Sequence, residues 1–263
     1  MSTYRKSDHG NPRTLHYEVA GLRWLAEASR AGGVAVAEVV AVWPDALETR
    51  IISHGAPTEQ TAEAFGRALA RTHAAGAPHH GCPPPGFGGH GFMGRATLPL
   101  RDAPPEDGGT WGEFYATDRI LPYLEDAVAN GSIDDDGART VRRCAERVGA
   151  GTYDAPQPAL VDGVARLHGD LWSGNVLWAP GTGATLIDPA AQGGHAESDL
   201  AQLAVFGAPY LDRVLAAYDE VSPLADGWPE RVGLHQLHIL IVHAALFGGP
   251  YGARTVSVAE RYA

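Results

Sequence analysis

Two carboxylates and one amide stand at a spacing suited to phosphoryl transfer. Four residues separate Asp170 from Asn175, and Asp188 follows a short strand-like run at 184–187. Transfer of a phosphoryl group puts charge on its equatorial oxygens, so catalysis depends mainly on positioning and electrostatics. Asp170 could orient an attacking hydroxyl and take its proton. Asn175 and Asp188 offer hard oxygen ligands of the kind that Mg²⁺ prefers.

The residues that flank these groups make the pattern specific. A D-x-x-x-x-N spacing alone is common by chance, but here His-Gly-Asp ends at Asp170 and Ile-Asp-Pro surrounds Asp188. Residues 176–178 and 184–187 read as strands joined by a turn at 180–183, so we expect a hairpin that brings the candidate metal ligands to one edge. A coincidental turn-rich loop is the alternative.

A lysine and a glutamate near the start of the chain have the order expected of a nucleotide-binding pair. Lys6 is the only lysine and ends a strand-like segment, 4–6, whereas Glu18 lies on a helix predicted at 13–31. In kinase architecture a strand lysine contacts the ATP phosphates and a helix glutamate holds that lysine. A surface lysine and a surface glutamate are the alternative.

The predicted elements divide the chain into two unequal parts. Strands are expected at 34–43 and 48–53, with a hinge at 54–57, which predicts a small N-terminal lobe at 1–56. The remainder, 57–263, is mainly helical by apolar periodicity. Within it we expect an irregular glycine- and proline-rich loop at 76–109 and helices at 58–75, at 111–130 with a kink near Pro122, at 209–221 and at 229–247, with an amphipathic tail.

Composition excludes some classes of partner. The chain has 263 residues and a formal charge of −11, which argues against nucleic acid or an anionic membrane as the main partner. It has no apolar run of about 18 residues and no apolar segment near its start, so we expect neither a membrane span nor a signal peptide. The two cysteines are far apart, which favours a reduced cytoplasmic setting. A monomer is favoured.

Three potentially charged residues cluster just downstream of Asp188. His195, Glu197 and Asp199 lie at the start of a predicted helix, followed by an apolar run. His195 and Glu197 could bind a polyhydroxyl substrate, or they could cap the helix and order the loop. For Asp199 we favour the structural role.

With these motifs in view, the chain resembles the fructosamine kinase (ketosamine-3-kinase) family, within the aminoglycoside phosphotransferase-like kinases. The resemblance covers essentially the whole chain, and Trp172 within the catalytic loop separates this family from its aminoglycoside and choline kinase relatives. The matching segments are His168–Asn175, Ile187–Ala190, Gly194-His195 with Glu197 and Asp199–Ala201, Phe206-Gly207, Trp111 with Phe114 and Arg119, Phe247–Tyr251, and Glu18–Leu22 with Tyr4–Lys6 upstream.

The resemblance implies an α+β, two-lobed, protein-kinase-like fold with a reduced N-terminal β-lobe and a mainly helical C-terminal lobe. It implies phosphorylation of a sugar hydroxyl on a ketosamine or glycated amine, with ATP and Mg²⁺. Asp170 would be the catalytic base, and Asn175 and Asp188 would bind magnesium.

The same resemblance assigns the remaining site residues. Lys6, paired with Glu18, would position the ATP phosphates. Trp172 would pack on the sugar-like substrate, with His195 and Glu197 nearby.

The chain also departs from the family pattern. Only five residues precede Lys6, so the family's phosphate-covering hairpin is missing, and we expect either a truncated chain or a reduced form. Ala196 replaces the arginine that usually follows the histidine of the Gly-His motif, and Ser53 or a neighbour replaces an acidic hinge residue. A catalytically weak, pseudokinase-like binding protein and a kinase of another amino-sugar, such as an aminoglycoside, are the alternatives.

Overall fold

The computed structural model describes residues 2–7, 10–106, 108–181 and 183–263. It is a mixed α and β structure, as the sequence predicts, and its strands are short. They are β1 (Thr3–Ser7), β2 (Ala35–Val36), β3 (Val39–Val42), β4 (Ala46–Arg50), β5 (Gly91–Met93), β6 (Ala96–Leu98), β7 (Ala165–Leu167), β8 (Val176–Ala179), β9 (Gly183–Leu186) and β10 (Gln192–Gly194).

Helices make up much of the rest, and in the described part of the chain each is too short or too polar to cross a membrane. They are α1 (Pro12–Ser29), α2 (Glu59–Ala74), α3 (Trp111–Phe114), α4 (Leu121–Ala129), α5 (Asp135–Gly149), α6 (Glu197–Val205), α7 (Leu211–Val221), α8 (Trp228–Phe247) and α9 (Pro250–Glu260), with a π-helical segment at Tyr115–Ile120 and a 3₁₀ turn at Ser173–Asn175.

The N-terminal elements form a small sheet covered by one helix. Strands β1, β4 and β3 are antiparallel in that order, and Lys6 pairs with Leu47. Helix α1 starts where the Asn11 side chain accepts a hydrogen bond from the Arg13 amide at 3.2 Å. Its apolar stripe, which includes Leu15 and Leu22, packs on Leu47 in a small core of its own. This packing fixes α1 across the sheet that carries Lys6.

The prediction of a single strand at 34–43 is wrong, because this segment forms two strands. Its first part, β2, pairs in parallel with β9, whereas its second part, β3, pairs with β4 in the other sheet. The predicted hairpin is present as β8 and β9, although Thr182 of its turn lies outside the described residues. Because β2 adds to this hairpin, the N-terminal elements are tied to the strand that precedes Asp188.

The helix predicted at 111–130 is also not continuous. The chain passes from α3 through the π-helical segment into α4, whose first turn contains Pro122. Proline has no amide hydrogen and its ring crowds the carbonyl four residues earlier, so the preceding turn widens rather than continuing as an α-helix. The irregularity therefore lies just before Pro122, close to the position where the sequence predicts a kink.

The helical part has a large apolar core. Helix α8 is buried along most of its length and packs on α4, α6 and α9. Helix α2 lies against α7 at Gly66, where a Cβ atom would collide with the Val214 carbonyl. The tail predicted as an amphipathic helix is α9.

Candidate active site

The loop from β7 to β8 carries the Asp170–Asn175 motif, and a buried carboxylate holds its backbone. Asp199, in the first turn of α6, accepts hydrogen bonds from the amides of His168 at 2.7 Å and Gly169 at 2.9 Å. The ring of His73 on α2 contacts the same carboxylate at 3.2 Å. Asp199 is fully buried, so a carboxylate with three donors sets the position of the loop.

Further contacts attach this loop to its surroundings. The His168 ring donates from Nε2 to the Ile187 carbonyl at 2.9 Å, which joins the loop to the residue before Asp188. Gln202 accepts from the Leu171 amide at 2.7 Å. Gly169 has a φ of +82°, and a Cβ atom there would collide with the Ala190 carbonyl. The backbone on which Asp170 sits is therefore fixed on several sides.

Asp170 and Asn175 are in direct contact. The Asn175 side-chain amide donates to the Asp170 carboxylate at 3.1 Å and to its backbone carbonyl at 2.8 Å. Burial raises the pKa of Asp170, and His168 and Asn175 oppose the rise. A carboxylate with a raised pKa is a better proton acceptor than a free aspartate.

Lys6, Glu18 and Asp188 meet although Asp188 lies far along the chain from the other two. The Lys6 ammonium donates to Glu18 at 2.8 Å and to Asp188 at 3.1 Å. Burial alone would lower the pKa of Lys6, but the two carboxylates outweigh it and raise that pKa. Burial raises the pKa of Glu18 to about 7, against the effect of Lys6. Asp188 itself has a φ of +50°, a strained backbone for a residue other than glycine.

Two cavities share these three charged residues. The smaller, about 380 Å³, lies between the small sheet and the β8–β9 hairpin, and its lining includes Leu22, Leu47, Leu177 and Ile187. The larger, about 690 Å³, extends over Asp170, Asn175 and Trp172. Two cavities, one beside the small sheet and one over Asp170, therefore open onto the same Lys6–Glu18–Asp188 group.

The donor atoms in the larger cavity fit magnesium. The side-chain nitrogen of Asn175 donates to Asp170, and its Oδ1 accepts no hydrogen bond within the described ranges. The Asp188 side chain is 49% exposed and lines the cavity, and its carboxylate contacts Lys6 through one oxygen only. An amide oxygen and a partly open carboxylate are hard ligands of the type that Mg²⁺ takes.

Trp172 lies at the mouth of the larger cavity. It is 39% exposed, and its ring meets Phe206 edge-on at a centroid distance of 6.1 Å. Gly174 lies directly beneath the indole, so close that a Cβ atom there would collide with it. The tryptophan therefore presents a supported ring next to Asp170.

His195 and Glu197 do not line the cavity that contains Asp170. Both are buried, and Glu197 accepts from Arg231 Nε at 2.9 Å and lies 3.1 Å from the His235 ring. His195 donates from Nε2 to the Ala155 carbonyl at 3.3 Å. These contacts favour the structural alternative for both residues, namely ordering of the loop and the start of α6.

The pKa shifts in this buried group follow from its contacts. Burial lowers the pKa of His195 to about 3. Burial by itself would raise the pKa of Glu197, but hydrogen bonds from His235 and Arg231 outweigh it and lower that pKa to about 2. The partner Arg231 lies 34 residues beyond Glu197 and was not anticipated from the sequence.

The β5–β6 hairpin is absent from the elements predicted from the sequence. Its residues from Phe92 to Arg95 line the larger cavity, yet they fall in the segment 76–109 predicted to be irregular. The available signal was a Gly-Arg pair, Gly94 and Arg95, between two short runs of strand-forming residues.

Known proteins resemble long stretches of the chain. A family model described as fructosamine kinase matches residues 8–262. A probable ketoamine kinase of Thermus thermophilus is 30% identical over 240 residues, which cover 91% of this chain and 79% of that protein. A probable ketoamine kinase of Enterococcus faecium is 30% identical over 195 residues, which cover 74% of this chain and 65% of that protein. A third, of Klebsiella aerogenes, is 37% identical over 141 residues, covering 54% of this chain but only 46% of that protein. The matched region thus spans less than two thirds of two of these curated relatives.

Solved structures show the fold. A candidate fructosamine-3-kinase of Thermobifida fusca is 39% identical with a TM-score of 0.85, covering 99% of this chain and 85% of that one. An ADP-bound aminoglycoside phosphotransferase is 12% identical with a TM-score of 0.57, and the match covers 95% of this chain and 84% of that one. At this identity the likeness is one of fold alone. The predicted α+β, protein-kinase-like fold is confirmed.

Proposed function

The chain belongs to the fructosamine kinase family, and from that premise we propose that it transfers the γ-phosphoryl group of ATP to a sugar hydroxyl of a ketosamine. One observation carries the proposal: two cavities meet at Lys6, Glu18 and Asp188, and the larger one holds Asp170. Such a pair of cavities suits a nucleotide and an acceptor that must react where they meet.

In this proposal Asp170 acts on the acceptor. The acceptor hydroxyl oxygen bonds to the γ-phosphorus, the bond from that phosphorus to the bridging oxygen of ADP breaks, and the hydroxyl proton passes to the Asp170 carboxylate. The raised pKa of Asp170 supports this role because burial makes its carboxylate more basic. Asn175 orients the carboxylate through its 3.1 Å hydrogen bond.

The nucleotide end has its own set of groups. The smaller cavity accepts the adenine ring between apolar side chains, and Lys6 contacts the phosphates while Glu18 fixes the lysine. Asn175 and Asp188 would hold Mg²⁺, which when bound supplies charge neutralisation for the phosphate oxygens. Trp172 packs its ring against the apolar face of the sugar.

The test is ADP release by the purified chain from ATP and magnesium, with and without a simple fructosyl amine. We expect release that depends on the amine sugar and that falls in Asp170→Asn by about 10²- to 10⁴-fold, the usual contribution of a positioned base. Asp162→Asn, an exposed aspartate outside both cavities, is the matched control and should behave as the parent does.

Three results would contradict the proposal. Undiminished turnover in Asp170→Asn, with an unchanged melting temperature, would remove Asp170 as the base. Binding of magnesium-ATP without any ketosamine-dependent release would favour the non-catalytic alternative, and turnover of an aminoglycoside alone would favour the other amino-sugar kinases.

A further inference from the structure

The larger cavity is lined by two cations, and only one of them is already paired. Lys6 contacts the carboxylates of Glu18 and Asp188. Arg95 makes no side-chain hydrogen bond or ion pair with any residue in the described part of the chain. Arg95 is therefore an exposed cation at a cavity of about 690 Å³, with no anionic partner among the described residues.

The backbone under Arg95 is held firmly. Arg95 and Gly94 form the two-residue turn of the β5–β6 hairpin, closed by the pairing of Met93 with Ala96. Gly94 has a φ of +57°, and the two closing residues are buried. The turn is therefore short and its conformation is defined. Arg95 is the only one of its two residues that has a side chain.

The rest of the hairpin is anchored to helices. Tyr123 donates to the Thr97 carbonyl at 3.0 Å, and the buried Arg119 donates to the Pro99 carbonyl at 2.8 Å. On the other side, Gly91 lies so close to the ring of Tyr17 on α1 that a Cβ atom would clash with it. The backbone that carries Arg95 is therefore held in place beside the cavity.

Arg95 belongs to the acceptor side of the site. The smaller cavity, assigned above to the nucleotide, shares Lys6, Glu18 and Asp188 with the larger one but does not include Arg95. Arg95 lines the same chamber as Asp170 and Trp172. The group that it meets is therefore part of the molecule whose sugar contacts those two residues.

A ketosamine offers one natural anion. Its ketose carbon is joined to an amine nitrogen, and when the amine is an amino acid, a carboxylate lies one carbon beyond that nitrogen. Guanidinium pairs with carboxylate through two parallel hydrogen bonds, a geometry that lysine cannot reproduce. We propose that Arg95 binds the carboxylate of ketosamines derived from amino acids and so makes them the preferred acceptors. This inference rests on the proposed function.

The experiment compares two nearly isosteric acceptors, fructosylglycine and fructosylglycinamide, which differ in the carboxylate. We expect the parent chain to prefer fructosylglycine in kcat/KM, and Arg95→Ala to reduce that preference about tenfold or more, the size of a lost charge-assisted hydrogen bond. Arg95→Lys should restore part of it. Arg142→Ala, an exposed arginine on α5 outside both cavities, is the control and should keep the parent's preference.

Two kinetic outcomes would overturn the inference: an equal loss for both acceptors in Arg95→Ala, or a rise in KM for ATP instead of a change in preference. Calorimetric binding of the same two acceptors separates this inference from the proposed function. A chain that binds fructosylglycine more tightly through Arg95 but releases no ADP would contradict the function and uphold the recognition. Equal binding of both acceptors by the parent would contradict the recognition alone.

Discussion

Lys6 contacts two carboxylates that reach it from distant parts of the chain. Glu18 is 12 residues away and Asp188 is 182 residues away, and the lysine lies within 3.1 Å of both. The pairing with Glu18 was predictable, because a strand lysine followed by a helix glutamate is a recognisable order. The contact with Asp188 depends on how two sheets are joined, which local sequence does not encode.

We expect Lys6→Ala to raise the KM for ATP about tenfold to a hundredfold, because a hydrogen bond to a charged group contributes about 1.5–3 kcal/mol. The KM for the ketosamine should change much less. Steady-state kinetics with each substrate varied in turn measures both. Arg5→Ala is the matched control, since Arg5 lies on the same strand but stacks over Trp43. Parent-like ATP kinetics in Lys6→Ala would remove the lysine from the nucleotide site.

Asp199 shows how a residue outside the cavities can govern the reacting loop. Its carboxylate accepts from two loop amides and contacts His73, all within a fully buried setting. An asparagine of the same shape would offer one acceptor oxygen and turn an NH₂ group toward a donor. The loss is therefore one of hydrogen bonding and not of volume.

For Asp199→Asn we expect the free energy of unfolding to fall by about 1–3 kcal/mol, the cost of leaving a buried group unpaired. The value of kcat should fall as well, because the backbone of Asp170 loses its support. Urea denaturation gives the first quantity and ADP release the second. Asp126→Asn, on the exposed face of α4, should alter neither. Full stability in Asp199→Asn would mean that the three contacts do not hold the loop.

At the scale of elements, the helices were predictable and the sheet partners were not. Helices α2 and α8 follow from apolar periodicity and clear ends, and the structure has both. Strand β2 is only two residues long, and its partner β9 lies about 150 residues later. Such a strand exists because of tertiary pairing, so no local pattern identifies it. The β5–β6 hairpin is a local pairing, and the Gly94-Arg95 pair in its turn was the signal for it.

The α2–α7 contact allows a test of packing between elements. Alanine normally stabilises a helix interior relative to glycine by about 1 kcal/mol. At Gly66 the added methyl group would strike the Val214 carbonyl of α7, so we expect Gly66→Ala to destabilise the protein by about 1–3 kcal/mol. Gly149→Ala is the control, because its Cβ atom would meet Ala116 at an ordinary 3.5 Å. Equal stability of the two variants in urea would show that α7 shifts freely.

At the scale of the whole molecule, the division into lobes at 1–56 and 57–263 stays a prediction, whereas the joining of the two parts is visible. Strand β2 pairs with β9, and α1 packs near the β5–β6 hairpin, so contacts cross the predicted boundary on two sides.

His195 and Glu197 illustrate what the sequence could not decide. Their position beside the motif suggested substrate binding, but the side chain of Arg231 fills the space on the other side of Glu197.

Several buried histidines make the folded state sensitive to acid. Burial lowers the pKa of His195 to about 3 and that of His80 to about 4, and it also lowers the pKa of His235 and His238. In the unfolded chain these groups bind protons near pH 6.5, so the unfolded state takes up more protons than the folded state below that pH. These histidines therefore lower the free energy of unfolding as the pH falls from about 6.5 toward 3, whereas Glu18, whose pKa is raised to about 7, acts in the opposite direction.

Glu197 adds to the same loss at lower pH, because its pKa is lowered to about 2 and its stabilising effect disappears as the pH falls from 4.5 toward that value. We expect His195→Gln to lose less stability than the parent between pH 6.5 and 4.5, since one group that binds protons only on unfolding has been removed. Urea denaturation at several pH values measures this slope, whatever the variant's stability at neutral pH. The exposed His16→Gln should keep the parent's slope. An unchanged slope in His195→Gln would mean that His195 is already accessible to protons in the folded protein.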